Sequence, residues 1–340
     1  MWTSHNTFLE TLSTIWNSFP PGGGMRYFYN KLQKTKMGLK QWNKSTFGDI
    51  FEEVKRAEIA AQIAEDEFLH NPGPDSRTQW SKSQAQLLLK LKQEKEFWKQ
   101  RSKIKWLMEG VANTKFYHNF VRQRRWHQSI QLIEDDLGLT HSDQESIAKI
   151  ATDHIQNLYS NVQDTSTNMD TMLDLLQPII TSEDNVYLTT IPTKQEIKDT
   201  MWALNPDSSA GPDGFNGHFY RSSWSIIEND LTAVQEFFLG LPMPKGLSWT
   251  LITLIPKAPN VKKFSQYRPI SLANFINKIC TKIIATRLKT VLPKIVSNEQ
   301  IGFMEGEDIH HHILLAKEIL PHLDNSVRGG NIAIKLNIAQ

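Results

Sequence analysis

Apolar side chains recur every three or four residues between positions 31 and 109, which is the spacing of one face of an amphipathic helix. The turn Asn71-Pro72-Gly73-Pro74 interrupts this pattern, because prolines and a glycine stop a helix. Asp75 or Ser76 can cap the helix that follows. We therefore predict two helices, one from Lys31 to the turn and one from the turn to about Glu109, packed as a hairpin. The apolar stripe of the first helix comprises Phe47, Ile50, Phe51, Val54, Ala57, Ala61, Ala64 and Phe68.

Shorter elements are predicted in the middle of the chain. Residues 130–133 read I-Q-L-I and predict a short strand followed by a turn. Residues 142–145 (S-D-Q-E) and 193–196 (T-K-Q-E) are capping boxes, and each predicts the start of a helix. Residues 161–170 are rich in Asn, Asp, Ser and Thr. We expect a polar linker and a domain boundary there.

The C-terminal part alternates loops, strands and helices. Residues 205–214 read N-P-D-S-S-A-G-P-D-G, and this composition predicts a tight loop with a preset backbone. Residues 249–255 and 332–336 predict strands, and helices are predicted over 219–238, 276–291 and 309–320. The mixture predicts an α+β, helix-rich chain.

Composition narrows the class of protein. The 340 residues carry a formal charge of +2, so the chain is not polybasic as a whole. Its one cysteine, Cys280, cannot form an internal disulfide, and we interpret it as a buried small hydrophobic residue. The sequence contains no apolar run of about 18 residues and no secretory start. We therefore expect a soluble intracellular protein, in the nucleus or cytoplasm, without a membrane partner.

Positive charge is concentrated in residues 81–130, which hold eight Lys and four Arg against three Glu. Aromatic residues are interleaved with these cations. Cations bind phosphates and flat rings stack on bases, so the segment predicts a nucleic-acid-binding surface. The alternative is a solvated helix face whose aromatic residues belong to the core. The predicted patch comprises Lys99, Arg101, Lys103, Lys105, Lys115, Arg122, Arg124 and Arg125.

Seven short motifs follow one another between residues 209 and 336. In this order they resemble the fingers and early palm of the reverse transcriptase of LINE-type (non-LTR) retrotransposons, of the plant kind. Upstream, residues 42–50 and 97–118 resemble the family's region between endonuclease and polymerase, and residues 1–20 resemble the tail of its endonuclease. The motifs are S-A-G-P-D-G-F (209–215), L-I-P-K (254–257), Y-R-P-I-S-L (267–272), N-K-I-C-T-K-I-I-A-T-R-L (277–288), Q-I-G-F-M-E-G (300–306), I-L-L-A-K-E-I (313–319) and I-A-I-K-L (332–336).

The resemblance implies the scaffold of an RNA-directed DNA polymerase, whose partners are RNA or an RNA/DNA primer–template. It places Lys257 where the family has its first phosphate-contacting lysine, and Arg268 where it has the partner arginine. A lysine at a predicted strand end and an arginine directly before a proline are also held by a stiff backbone. The alternative is that both side chains only solvate the rim of a hairpin.

The loop that begins the motif series has two interpretations. Its backbone N–H groups could hold a phosphate, and the resemblance places it near the template and the fingers. Alternatively, it is a rigid turn between two helices. The residues concerned are Ser209, Ala210, Gly211, Pro212, Asp213 and Gly214.

The last motif departs from the family. The family has Lys-Leu-Asp, whereas this chain has Lys335-Leu336-Asn337. A neutral amide is a poor replacement for a carboxylate that binds the Mg²⁺ ions of the intact family. The chain then ends at Gln340, before the family's second acidic motif. We therefore expect a truncated copy with no intact catalytic residue, no cofactor and no metal.

The consecutive histidines His310, His311 and His312 do not change this expectation. Neighbouring residues of a helix point about 100° apart, so at most two of the three side chains could converge on a metal ion.

We expect four segments: a remnant of the endonuclease tail (1–30), a basic helical arm (31–160), a linker (161–192), and incomplete fingers with the start of a palm (193–340). The favoured function is binding of RNA or primer–template without polymerisation. Two alternatives stay open, a helical module that binds protein through its apolar seam and a pseudogene product without function. Self-association through the seam or an uncovered palm edge is also expected.

Overall fold

The computed structural model describes residues 2–102, 114–160, 178–296 and 308–323, together with 325, 330–332 and 334. These residues are mostly helical and include two short antiparallel hairpins, which agrees with the expected helix-rich α+β class. The helices are α1 (Phe8–Asn17), α2 (Gly24–Thr46), α3 (Ile50–His70), α4 (Pro74–Ser102), α5 (Thr114–Gln128), α6 (Gln144–Ser160), α7 (Ser182–Thr189), α8 (Lys194–Ala203), α9 (Gly217–Ser222), α10 (Trp224–Leu231), α11 (Val234–Phe238), α12 (Lys245–Ser248), α13 (Phe275–Ile295) and α14 (Ile309–Ile319). The strands are β1 (Ile133–Glu134), β2 (Thr140–His141), β3 (Thr250–Pro256) and β4 (Tyr267–Ala273).

The predicted helical hairpin is present as α3 and α4, which pack along each other. The single helix expected from Lys31 is wrong, because the chain breaks between α2 and α3. Gly48 has a φ of +58°, a left-handed conformation that ends a helix. Asp49 then caps α3 by accepting hydrogen bonds from the N–H groups of Phe51 and Glu52. The apolar periodicity continues from α2 into α3, so the sequence pattern gave no sign of the break between the two helices.

The main hydrophobic core combines the two ends of the described chain. Side chains of α1 and α2 pack against those of α8 to α13 in one cluster. This core crosses the boundary expected at residue 31, which lies inside α2. The expected linker at 161–192 also contains a helix, α7. The largest fully buried side chains of the core include Phe8, Leu12, Trp16, Phe28, Leu32, Leu39, Met201, Tyr220, Ile227 and Phe275.

A partly buried ion pair fastens the N-terminal helices to this core. The Asp230 carboxylate in α10 accepts hydrogen bonds from Trp16 Nε1 (2.7 Å) and Lys31 Nζ (2.8 Å). The same ammonium lies over the rings of Trp16 and Tyr27, at 5.1 and 4.9 Å from their centroids. Three helices thus share one charge cluster, and residues 8–31 are an integral part of the fold.

A second, smaller core joins the middle of the chain to the second hairpin. Ile133 and Ile147 are buried against Phe264 and Tyr267. β1 pairs with β2, and the Glu134 N–H donates to the carbonyl of Lys262 at 2.7 Å. The strand predicted at 130–133 is therefore displaced to Ile133–Glu134. The helix predicted after it is confirmed as α6, although Asp143 rather than Ser142 caps it through the Ser146 N–H.

The second hairpin consists of β3 and β4, paired antiparallel from Thr250 with Ala273 to Pro256 with Tyr267. The sequence pattern predicted β3 but not β4, because Pro269 interrupts that strand. The hydrogen bond from the Lys257 N–H to the Gln266 carbonyl shows which opposite residues of the hairpin exchange backbone hydrogen bonds, because such pairs alternate along antiparallel strands. Pro269, opposite Leu254, then occupies a position whose N–H is not needed for the pairing.

Arg287 in α13 connects α7, α8 and α13, and only 2% of it is exposed. Its guanidinium forms a bidentate pair with Glu196 (Nε to Oε1 2.9 Å, Nη2 to Oε2 2.8 Å). It also donates to the carbonyls of Leu188 and Thr190. Glu196 is the last residue of the predicted 193–196 capping box. Thr193 caps α8 as expected, and the Glu196 carboxylate pairs with Arg287.

None of the described helices is both long and apolar enough to cross a membrane.

Replacing Arg287 with alanine is predicted to destabilise the fold by about 3 kcal/mol, because Glu196 and two carbonyl oxygens lose their donor in a largely buried site. Urea unfolding followed by circular dichroism measures this change. The neighbouring Thr286, which is exposed on the same helix, supplies the control. Thr286→Ala should not destabilise the fold, because alanine is the better helix former and no buried group loses a partner. Equal losses of stability for the two substitutions would contradict the role of Arg287.

Candidate nucleic-acid interface

The second hairpin brings Lys257 and Arg268 together. Arg268 lies opposite Ile255, and Lys257 follows Ile255 by two residues. Side chains directly opposite each other, or two residues apart on one strand, point to the same face of a hairpin. The two cations are therefore diagonal neighbours on one face, separated by roughly 7–8 Å at this type of position. Both are exposed.

The loop between these strands is held from several sides. Lys257 Nζ donates to the Ser265 carbonyl at 3.0 Å, and Gln266 Oε1 accepts the N–H groups of Lys262 (2.7 Å) and Lys263 (3.1 Å). Lys263 Nζ lies 3.2 Å from a carboxylate oxygen of Glu134 in β1. The small β1–β2 hairpin thus supports the cationic end of the β3–β4 hairpin, which fixes its position.

The basic segment around α5 has two faces. Tyr117 is buried, and it packs with Trp98 of α4 in a cluster that Phe97, Phe120 and Val121 extend. On the other side, Trp126 is 68% exposed. Most of the described aromatic residues of this segment therefore belong to a core, as the alternative interpretation expects, whereas Phe116 (37% exposed) and Trp126 do not.

The cations of the predicted patch are only partly described. Arg122 and Arg125 are exposed, lie three residues apart, and with Trp126 form one outward surface of α5. Lys99 and Arg124 are also exposed. Within the described residues, neither Arg122 nor Arg125 takes part in an ion pair. Outside what is described lie Lys103, Lys105 and the side chains of Arg101 and Lys115.

The loop at 209–214 is locked against α13 by Asn274. This side chain is fully buried, and its Oδ1 accepts the Asp213 N–H at 3.0 Å. Its Nδ2 donates to the carbonyls of Gly246 (3.0 Å) and Leu247 (2.8 Å). A Cβ added at Gly211 would lie 2.6 Å from the carbonyl carbon of Ala273, so only glycine allows this close approach.

Three N–H groups of this loop region are already bound within the protein. Besides Asp213, the N–H of Gly214 donates to the Gly211 carbonyl at 3.0 Å, and that of Phe215 donates to Asp213 Oδ1 at 3.0 Å. Ser209 and Pro212 offer their carbonyls to Lys278 Nζ and Lys36 Nζ. Ala210 is partly buried. These contacts favour the interpretation as a rigid connector over that of a phosphate cradle.

Asp213 is a buried acid with an unsatisfied oxygen. Only 2% of the residue is exposed, and its Oδ2 has no hydrogen-bond partner. Burial raises the pKa of this carboxyl to about 6, against the opposing effects of the Phe215 N–H and of Lys36 and Lys278. The nearby Tyr220 hydroxyl is also unsatisfied, and burial together with the Asp213 charge raises the pKa of Tyr220 further above its ordinary value.

The other predicted positions add no chemistry to this surface. Cys280 is buried in the main core, and burial raises the pKa of its thiol to about 12, as expected for a packing residue. Among the described residues, no three His, Cys, Asp or Glu side chains converge as a metal site. Asn337 and the strand predicted around it lie outside the described part, apart from residues 332 and 334.

Sequence reasoning missed Asn274 and Lys36. Asn274 stands directly before α13, where an asparagine is typical of a helix cap. Its side chain instead reaches the 209–214 loop and α12, and no spacing in the sequence indicates these distant partners. The sequence does carry a signal for Lys36: it lies in a helix with several cations and no acidic residue, and such a charge bias can be read directly from the sequence.

No protein-family model matches the chain. Over 221 residues, or 65% of its length, the chain is 24% identical to the "Transposon TX1 uncharacterized 149 kDa protein" of Xenopus laevis. The chain spans 17% of the length of that relative. The similarity relates the chain to a transposon protein, which agrees with the retrotransposon character of its motifs.

Replacing Asp213 with asparagine is predicted to stabilise the protein above pH 6. The carboxyl has a pKa near 3.8 when unfolded and about 6 when folded, so the folded state loses stability as the pH rises through this interval. The loss amounts to roughly 3 kcal/mol at pH 8, and Asn avoids it while keeping the oxygen that accepts the Phe215 N–H. Unfolding by urea at pH 4 and pH 8 tests this, since the gain should appear only at pH 8. A variant that is no more stable at pH 8 would show that the carboxylate is compensated in the native protein.

Proposed function

We propose that the chain derives from the reverse transcriptase of a LINE-type, plant-like non-LTR retrotransposon and that it binds RNA or an RNA/DNA primer–template. The ordered motif series and the similarity to a transposon protein support the origin. The outward surface of α5 supports the binding, and this is the observation that carries the proposal.

The outward surface of α5 combines the two kinds of side chain that bind single-stranded nucleic acid, cations and an exposed aromatic ring. Arg122 and Arg125 offer planar cations for phosphates, and Trp126 offers an exposed ring on which a base can stack. On the opposite side of α5, the separate aromatic cluster of Trp98 and Tyr117 fixes the helix against α4. A strand would therefore meet a surface that is already ordered, which lowers the entropic cost of binding.

The β3–β4 hairpin would contribute a second contact. Lys257 and Arg268 share a face and an end of the hairpin, and a phosphate group of a nucleotide or strand could approach both. The support from β1 and Gln266 keeps the backbone of this loop in place. We propose that both residues keep the phosphate-binding role that their motif positions imply.

We also propose that this chain does not polymerise DNA. Asn337 stands where the family has its first metal-binding aspartate, and an amide supplies one neutral oxygen in place of a charged carboxylate. Binding without catalysis is then the property that remains. This part of the proposal rests on the sequence, because Asn337 lies outside the described residues.

The structure does not favour the helical interaction module that binds protein through its seam. Val54, Ala61 and Ala64, the buried part of the α3 stripe, already pack within the α3–α4 hairpin. The apolar residues that stay exposed lie mostly outside this stripe. On α3 and α4 they include Ile59, Ile63 and Leu88, and on the face of the β3–β4 hairpin that carries Lys257 they are Leu251, Ile255 and Ile270. Self-association would use these exposed residues and not the buried stripe.

Replacing Arg122 and Arg125 with glutamine is predicted to weaken the binding of a labelled single-stranded RNA. The slope of log affinity against log salt concentration should become shallower by about 1.4, because two phosphate contacts are lost at about 0.7 each. Replacing Trp126 with alanine should weaken binding by roughly 1–3 kcal/mol with the slope unchanged, because a stack carries no charge. Fluorescence anisotropy at several salt concentrations measures both quantities. Arg56→Gln with Arg77→Gln removes two exposed arginines elsewhere and serves as the matched control. The proposal fails if this control weakens binding as much as the α5 variant.

Primer extension tests the proposed lack of catalysis. The purified chain, incubated with an RNA template, a DNA primer, deoxynucleotides and Mg²⁺ or Mn²⁺, is predicted to give no extended primer. An active reverse transcriptase under the same conditions shows that the substrate is competent. Template-dependent synthesis by the chain itself would refute the proposed inactivity but would leave the binding proposal intact.

A further inference from the structure

Helix α2 carries an unusual distribution of charge. Its 23 residues include six cations and no acidic residue. The next helix, α3, has two cations against six acidic residues, so the two helices differ strongly in sign. The cations of α2 are Arg26, Lys31, Lys34, Lys36, Lys40 and Lys44.

Three of these lysines form a stripe on the outer side of the helix. Lys36, Lys40 and Lys44 are spaced by four residues, which places them within an arc of about 80° at 100° per residue. All three are exposed. The adjoining side of α2, with Phe28, Leu32 and Leu39, is buried in the main core, and at 100° per residue the stripe begins about 40° from Leu32. The core therefore fixes which side of the helix faces outward.

The stripe continues onto the 209–214 loop. Lys36 Nζ donates to the Pro212 carbonyl at 3.1 Å, and Lys278 Nζ of α13 donates to the Ser209 carbonyl at 2.6 Å. The α13 helix also has five cations and no acidic residue. The loop thus lies between two helices of one sign, and Asp213, the acid between them, is buried.

An ordinary solvated helix face mixes charges of both signs, as α3 does with its Lys55–Glu52 and Arg56–Glu53 pairs. In α2, like charges at four-residue spacing repel each other and destabilise the helix. Within the described residues, Lys40 and Lys44 have no ion-pair partner. A polyanion on this face would remove the repulsion that the fold itself leaves in place.

We propose that Lys36, Lys40 and Lys44 form a second binding surface, for the phosphodiester backbone of a nucleic-acid strand. The stripe spans about 12 Å at 1.5 Å per residue, which is the length of three or four nucleotides at about 3.4 Å each. This surface lies on α2 and shares no residue with the α5 and β3–β4 surfaces of the proposed function. The inference rests on the proposed function only for the class of ligand. An anionic membrane fits less well, because the apolar side of α2 is already buried and cannot enter a bilayer.

The test compares two triple variants of the full chain. Lys36→Gln, Lys40→Gln and Lys44→Gln together remove the stripe, and a glutamine at 36 can still donate to the Pro212 carbonyl. Lys55→Gln, Lys149→Gln and Lys317→Gln remove the same charge from three other helices, where these lysines are also exposed. Thermal unfolding by circular dichroism establishes that both variants are folded.

The stripe variant should lower the salt slope of single-stranded RNA binding by about 2, since three contacts at about 0.7 each are lost, while the control should retain the slope of the unmodified chain. Equal slopes for the two variants would overturn the proposal. A stripe variant that loses binding to vesicles with anionic lipid but keeps its binding to RNA would overturn it in favour of a membrane.

The α5 variant separates this inference from the proposed function. If Arg122→Gln with Arg125→Gln weakens binding but the stripe variant does not, the second surface is wrong and the proposed function stands. If only the stripe variant weakens binding, the α5 surface is wrong. Lysine acetylation read by mass spectrometry gives a direct check, because bound RNA should protect Lys40 and Lys44 but not Lys149.

Discussion

The fold around the candidate interface depends on one buried amide, that of Asn274. Its three hydrogen bonds reach the Asp213 N–H and the carbonyls of Gly246 and Leu247, so one side chain connects the 209–214 loop and α12 to the start of α13. A buried amide is stable only when its donors and its acceptor are used, and here three bonds use them. The β3–β4 hairpin ends at Ala273, directly before this residue, and its orientation is therefore tied to the same point.

Charge is separated in this molecule between partly buried ion pairs and exposed surfaces of one sign. Lys31 with Asp230 and Arg287 with Glu196 are paired and hold helices together. By contrast, Lys40 and Lys44 on α2 and Arg122 and Arg125 on α5 have no ion-pair partner within the described residues, and their like charges repel each other. The net charge of +2 hides this arrangement, since acidic residues elsewhere, as in α3, balance it.

The similarity to a transposon protein concerns the origin of the chain, whereas the packing shows how its N-terminal and C-terminal parts fit together. Helices α1 and α2 share one core with α8 to α13, and Trp16 and Lys31 both donate to Asp230 in α10. Removing the N-terminal segment would expose this core to solvent and would take both donors, Trp16 Nε1 and Lys31 Nζ, from the Asp230 carboxylate.

The sequence by itself determined the local elements. Helical periodicity predicted α4, α13 and α14 and the helical character of α2 and α3, though not the break between them, and capping boxes marked the starts of α6 and α8. These signals depend only on neighbouring residues. It also indicated the basic segment and the pair Lys257 and Arg268. Only the tertiary structure decided which aromatic residues are buried and which is exposed, that Pro269 lies within a strand, and that α1 and α2 join the core of the C-terminal part. These features arise from the packing of α5 on α4, from contacts between residues far apart in the chain, such as Lys31 with Asp230, and from the register of two strands. Sequence spacing carries no information about such contacts, because burial and pairing are set by the elements that meet in space.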